Sequence, residues 1–264
     1  MTPALALEQI TCRFGDDKPY VAVEAVTLAV APGEFVAVVG PTGCGKSTLL
    51  NVAAGLLAPS SGMVRVEGEP LRGLNRRAGY MFQTECLMPW RSAADNVAAG
   101  LQFRGVGREE SRTRAGEWLA RVGLEGFGDL YPHQLSGGMR KRVALAQTLI
   151  LDPGIILMDE PFSALDVQTR QLMENELLEL WSKDRKSVVF ITHDLEEAIS
   201  LADRVVVLSA GPATRLIGQF PIDLHRPRDV AEVRLTRRFL ELHRQIWQLL
   251  KEEVLKGHAQ GKRG

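Results

Sequence analysis

The sequence predicts an α/β fold: a parallel sheet covered on both faces, with a block of helices inserted into it. Three observations carry this. Short continuous apolar runs at 34–39 (EFVAVV), 154–158 (GIILM), 187–191 (SVVFI) and 204–209 (RVVVLS) read as strands buried on both faces. Helical patterns alternate with them. Between about 88 and 150 helical patterns dominate, with charged runs such as REESRTRAGEW and no convincing central strand.

Taken in order, EFVAVV is followed by a glycine-rich turn at 40–48 and a helix from about Lys46 into VAAGLL. The stretch to residue 87 is the first part of the core, 88–150 an inserted helical subdomain, and 151–228 the second part of the core. From about 229 to 256, Val233, Leu235, Phe239, Leu242, Ile246, Trp247, Leu249 and Leu250 recur at helical spacing and predict an amphipathic closing helix. The final KGHAQGKRG reads as a disordered tail, and 229–264 forms the fourth segment. Ligands of such sheets sit at the carboxyl ends of the strands, which places the expected site.

Composition narrows the function. At 264 residues the chain can bury a core without disulfides or metals. Lys plus Arg and Asp plus Glu are 32 each, so there is no cationic surplus to neutralise nucleic-acid phosphates. Cys12, Cys44 and Cys86 are odd in number and lack CxxC spacing, which fits a reducing compartment. The segment MTPALALEQI lacks the pattern of a signal peptide, and no apolar run approaches the roughly 20 residues of a spanning helix. Any membrane role is therefore expected to come through a partner.

Residues 40–48 read Gly40-Pro41-Thr42-Gly43-Cys44-Gly45-Lys46-Ser47-Thr48, a GxxxxGK[ST] pattern between a strand and a helix. Glycines let backbone N–H groups turn inward around phosphate oxygens, and the helix N-terminus adds its positive dipole end. Lys46 puts a point charge on the β- and γ-phosphates, and Ser47 offers a hydroxyl to Mg²⁺. Cys44 admits two readings: a thiolate activated by electropositive surroundings, or a small residue in a tight loop.

After GIILM come Asp159, Glu160 and Pro161. A carboxylate at the strand end can hold Mg²⁺ or its waters, and the next one, pointing elsewhere, can accept a proton from attacking water. Gln83 follows the apolar GYMF and can orient water or touch Mg²⁺ through its amide. His193 follows VVFIT and lies at the same sheet edge, beside the expected γ-phosphate. A second anion site is written at 135–142, LSGGMRKR: Ser136 caps a helix whose start exposes the N–H groups of Gly137 and Gly138. One chain hardly needs two grips on one triphosphate. A head-to-tail dimer resolves this, each nucleotide lying between the cradle of one subunit and the Ser136 helix of the other.

Along nearly its whole length the chain resembles an ABC transporter ATPase. Walker A is GPTGCGKST, the signature LSGGM, Walker B IILMDE, the D-loop SALD at 163–166 and the H-loop histidine His193. The resemblance implies a P-loop NTPase (RecA-like) core with an ABC-type antiparallel β portion, ATP and Mg²⁺ as ligands, and Gln83 as the Q-loop residue that links hydrolysis to a transmembrane partner. It makes Phe14 the aromatic that stacks on adenine, with Tyr20 as the second choice. FQTECLMPWRSAADNV and DEPFSALDVQTR are similar to the nitrate/sulfonate/taurine import group. In that group the Gln83 to Trp90 stretch lies near the surface that receives the permease, although Trp90 could instead pack locally within the helices. The resemblance further implies a peripheral subunit at the cytoplasmic face of the inner membrane, with a solute-binding protein as an indirect partner. No long regulatory extension of the kind found in maltose-type importer ATPases is expected. An exporter ATPase, or an ABC ATPase acting on nucleic acid, is the alternative.

Overall fold

The computed structural model describes residues 2–15, 19–163 and 165–261. The elements run β1 (Leu5–Phe14), β2 (Tyr20–Val30), β3 (Phe35–Val39), α1 (Lys46–Ala53), β4 (Ser61–Val66), β5 (Glu69–Pro70) and β6 (Ala78–Met81). Then follow α2 (Ala93–Phe103), α3 (Arg108–Arg121), a 3-10 turn (Pro132–Gln134), α4 (Gly137–Leu149), β7 (Ile155–Asp159), α5 (Val167–Lys183) and β8 (Ser187–Ile191). The chain closes with α6 (Leu195–Leu201), β9 (Arg204–Leu208), β10 (Leu216–Pro221), α7 (Val230–Val233) and α8 (Arg237–Gly261).

Two sheets result. The larger has six strands in the order β10-β9-β3-β8-β7-β6. Its pairs from β9 to β6 are parallel and its β10 edge is antiparallel. The smaller is antiparallel, in the order β2-β1-β4-β5. The period of two along a strand explains the unbroken apolar runs. In β3, Phe35, Ala37 and Val39 face one core with α2, α4 and α6, while Val36 and Val38 face a second core with β1, β2 and α1. The same split holds in β7, β8 and β9: Ile156, Val188 and Val205 face the first core, and Ile155, Val189 and Val206 the second. Every position of β3, β7 and β8, and all of β9 after Arg204, is buried on one side or the other, so polar alternation has no place.

Strands β6 and β7 are parallel neighbours, and the connection between them carries α2, α3 and α4. Helices therefore enter between two adjacent strands without disturbing their register. Lys141 ties this block to the sheet: its ammonium, on the 1 % exposed side chain, donates to the carbonyl of Gln83 just past β6.

Two expectations change. The closing segment holds two helices, not one. Asp229 caps α7 by accepting from Ala231 and Glu232 N–H (2.9 and 3.0 Å). Thr236 Oγ1 then accepts from Phe239 N–H (3.3 Å) and starts α8 afresh. The expected disordered tail is also helical as far as Gly261, and residues 262–264 lie outside the described part. Glu253 anchors this end of α8 to the body by accepting the Ala210 N–H (2.8 Å). Among the described residues, no helix is long and apolar enough to cross a membrane.

Candidate functional site

The turn from β3 into α1 is built around close approaches that only glycine allows. A Cβ on Gly40 would lie 2.9 Å from Cys44 Sγ and 3.1 Å from Leu208 Cβ. Gly43 and Gly45 take φ of 77° and 94°, the left-handed conformations that turn consecutive N–H groups to one side. Helix α1 starts at Gly45 with no side-chain cap, so its first N–H groups remain for an anion. The Lys46 ammonium donates to the carbonyls of Gly40 (2.9 Å) and Pro41 (3.1 Å), which leaves one of its three donors. Ser47 is exposed and Thr48 half-buried on the first turn. Cys44 is 1 % exposed, and burial raises its thiol pKa against the opposing pull of Lys46. The tight-loop reading of Cys44 fits this environment; an activated thiolate does not.

Asp159 ends β7, 8 % exposed. Burial raises its carboxyl pKa, while the Ser47 hydroxyl and the Lys46 charge favour its ionised form. Asp159 and Ser47 thus bring hard oxygen donors together at the foot of the cradle. Among the described residues, no group of three or more Asp, Glu, His or Cys side chains is arranged to hold a metal ion by itself. This donor set fits Mg²⁺, which takes few protein ligands and completes its shell with phosphate and water. Asp159 and Ser47 would hold the ion.

Three predicted residues converge on one oxygen. Glu160 Oε2 accepts from Gln83 Nε2 (3.2 Å) and lies 3.1 Å from His193 Nδ1. Glu160 sits at φ 44°, a strained conformation for a side-chain-bearing residue. Its N–H donates to Ile191 O (2.9 Å), which fixes the turn across β8. His193 follows β8 on a turn held from both sides. Thr192 Oγ1 donates to Glu197 Oε2 (2.6 Å), and Asp194 accepts from Glu196 N–H (2.8 Å) to cap α6. Arg170 of α5 donates to Asp194 (3.2 Å). The arrangement can hold a water against a carboxylate whose two neighbours orient it.

Ser136 caps α4, accepting from Met139 N–H (3.2 Å), with Gly137 and Gly138 as the first helical residues. A Cβ on Gly138 would lie 2.9 Å from Thr169 Cγ2, so α5 passes close by. In the SALD segment, Ser163 Oγ donates to Glu160 O (3.0 Å) and Asp166 caps α5 through Thr169 N–H (3.0 Å). Ala164 lies outside the described residues.

A cleft of about 720 Å³ opens beside Gly40, Pro41, Thr42 and Gly43, reaches His193 and Tyr20, and runs on to the Ala210–Pro212 loop and one face of α8. Ser136, Gly137 and Gly138 do not line it. Neither does Phe14, which is opposite Tyr20 on the paired strand; of these two aromatics, only Tyr20 borders the cleft. Sequence reasoning missed two positioning residues. Asn96, fully buried, donates to the carbonyls of Met88, Arg91 and Ser92 and accepts from Met88 N–H (2.7 Å). Lys141 is the other, on the signature helix. Neither breaks a helical pattern, so periodicity gives no signal for them.

A family model described as ABC transporter matches residues 23–163. An uncharacterized ABC transporter ATP-binding protein of Methanocaldococcus jannaschii is 49% identical over 235 residues, covering 89% of this chain and 86% of that one. A taurine import ATP-binding protein of Chromobacterium violaceum is 48% identical over 210 residues, 79% of this chain and 80% of its own. Among solved structures, a dimeric ATP-binding cassette in a post-hydrolysis state with ADP and Pi aligns with TM-score 0.75 at 33% identity, over 84% of this chain and 100% of that one. The chain thus belongs to the ABC transporter ATP-binding family as an ATP-binding and ATP-hydrolysing subunit.

Proposed function

We propose that this subunit powers an importer, coupling ATP-driven closure of a head-to-tail dimer to uptake of a small anionic solute through a separate permease. The solute class is nitrate, sulfonate or taurine. The single observation that carries the coupling is the Met88–Ser92 turn. Asn96 clamps its backbone from within, and Trp90 is left 74 % exposed just beyond Gln83. Phe103, 77 % exposed, lies under Arg91 at 5.9 Å. A large aromatic held outward on a rigid turn suits docking of a partner helix better than local packing. The taurine-import relatives support the solute class.

In this reading the cradle from Gly40 to Thr48 and Lys46 hold the triphosphate, and Ser136 to Gly138 of a second copy close over it. Mg²⁺ on Ser47 and Asp159, with Gln83 alongside, would offset charge on the phosphates. Glu160 takes the proton from the attacking water, and His193 and Gln83 orient both. Because ATP touches both subunits only in the closed dimer, its binding shifts the population towards closure, and product release resets it. Closure is passed to the permease, which places the subunit peripherally on the cytoplasmic face of the membrane. The segments 1–87, 88–150, 151–228 and 229–264 serve as first core part, docking and signature block, second core part and closing helices.

The test is a tagged pull-down from native membranes with the captured proteins identified by mass. Recovery of a polytopic permease, with or without a solute-binding protein, is the expected result. Recovery of ribosomes or nucleic acid with no membrane protein would overturn the transport reading.

A further inference from the structure

Behind the oxygen where Gln83, Glu160 and His193 meet, a second set of contacts closes a ring, and Arg170 completes it. Arg170 lies one turn into α5, its N–H donating to the carbonyl of the Asp166 cap (2.9 Å). Its guanidinium reaches two loops at once. Nη2 donates to Leu165 O (3.1 Å), in the SALD segment. Nη1 donates to Asp194 Oδ2 (3.2 Å), on the residue after His193. Nε faces Glu197 Oε1 at 3.6 Å, and that side chain is 2 % exposed.

Each loop leads back to Glu160 by a short bonded path. On one side, Leu165 N–H donates to Phe162 O (3.1 Å), and Ser163 gives both its N–H (3.3 Å) and its hydroxyl (3.0 Å) to the carbonyl of Glu160. On the other, Glu197 accepts the Thr192 hydroxyl (2.6 Å), whose oxygen accepts the Asp194 N–H (3.0 Å). His193 sits between Thr192 and Asp194 and reaches Glu160 Oε2 at 3.1 Å. A guanidinium is planar and rigid, so the spacing of its nitrogens sets the spacing of the two loops. A lysine ammonium would keep the charge but could not hold both loops in one plane. Neutralising the buried Glu197 asks only for a nearby cation; the bond to the Leu165 carbonyl goes beyond that demand.

We propose that Arg170 is a positioning residue for hydrolysis: it holds the His193 turn and the SALD segment at one spacing and so sets where His193 stands against the Glu160 carboxylate. The inference rests on the reading of Glu160 and His193 as the groups that activate and orient the water, and the experiment separates the two. A displacement of about 1 Å at a reacting centre costs up to about a hundredfold in rate. In the full chain, Arg170→Lys lowers kcat for Mg·ATP by about tenfold to a hundredfold, with KM within about twofold. The pair Arg170→Gln with Glu197→Gln strands no buried charge and keeps an acceptor for Thr192, so it folds and shows the same loss. Histidine-selective NMR reads the position directly: the His193 ring signal moves in Arg170→Lys, and those of the other histidines do not. In a His193→Ala background, Arg170→Lys costs less than about twofold further, because the group it positions is gone. A wild-type kcat in Arg170→Lys overturns the proposal, and so does an unmoved His193 signal. An equal fall in kcat with and without His193 overturns it too, since that marks a merely structural effect. Loss of activity in His193→Ala with none in Arg170→Lys leaves the reading of His193 standing and removes this inference alone. Full activity in His193→Ala removes both.

Discussion

Replacing Glu160 by Gln isolates the proton-accepting step. The carboxylate oxygen Oε2 meets Gln83 Nε2 at 3.2 Å and His193 Nδ1 at 3.1 Å. An amide keeps one oxygen acceptor at nearly the same place, so the geometry of the trio changes little, and what disappears is the basic site. General-base assistance is worth about 10²–10⁴ in rate, which corresponds to about 3–5.5 kcal/mol of barrier. We expect kcat to fall by that factor while ATP affinity is retained, so the closed dimer accumulates. The backbone adds an internal control. Glu160 holds φ 44°, and a side chain in the left-handed region costs about 1–2 kcal/mol. Glu160→Gly should therefore be as inactive as Glu160→Gln yet more stable by about that amount. Phosphate release, nucleotide binding and urea unfolding read the three quantities. Hydrolysis by Glu160→Gln within about threefold of wild type would remove Glu160 from the base role.

The other predictions concern the cation, the interior and one close approach. Ser47→Ala removes a hydroxyl ligand, so the Mg²⁺ concentration giving half-maximal hydrolysis should rise by roughly tenfold, read by titration at saturating ATP. Glu174 is fully buried, and burial lifts its carboxyl from 4.5 to about 7 against the pull of Arg234. Between those two values the folded state keeps a proton that the unfolded chain releases. Stability is therefore full below the lower value and falls as pH rises through the window, by about 3 kcal/mol in all. Glu174→Gln should lack that decline, as urea unfolding at about pH 5 and about pH 8 would test; an equal decline in both proteins would refute it. Gly55 has φ 71°, and an added Cβ would sit 2.0 Å from the Gly73 carbonyl oxygen, a backbone atom with little freedom to yield. Gly55→Ala should cost about 3 kcal/mol or more, seen as a lower thermal midpoint.

The strands were legible because burial on both faces leaves unbroken apolar runs in β3, β7, β8 and β9, with polar residues only at strand ends: Asp159, Ser187 and Arg204. The cradle was legible because its glycines and lysine answer a local demand that spacing alone records. Strands β1, β2 and β4 were not read individually; their edges and bulges mix polar and apolar residues, with register shifts along both β1 pairs. The break before α8 escaped because Thr236 is an inconspicuous cap inside an otherwise helical pattern. Convergence of Gln83, Glu160 and His193 on a single oxygen could not be read, since the three lie on separate turns and only the sheet order brings them together.

Lys141 belongs to the helix that Ser136 caps, and it grips the carbonyl of the residue whose amide touches Glu160. That one buried ammonium ties the Ser136-capped helix directly to the backbone of Gln83. In a head-to-tail pair, the helix would respond to the nucleotide of the opposite site while Gln83 serves its own. Occupancy at one site would then tug on the water-activating machinery of the other, giving the dimer a built-in means for its two sites to keep time.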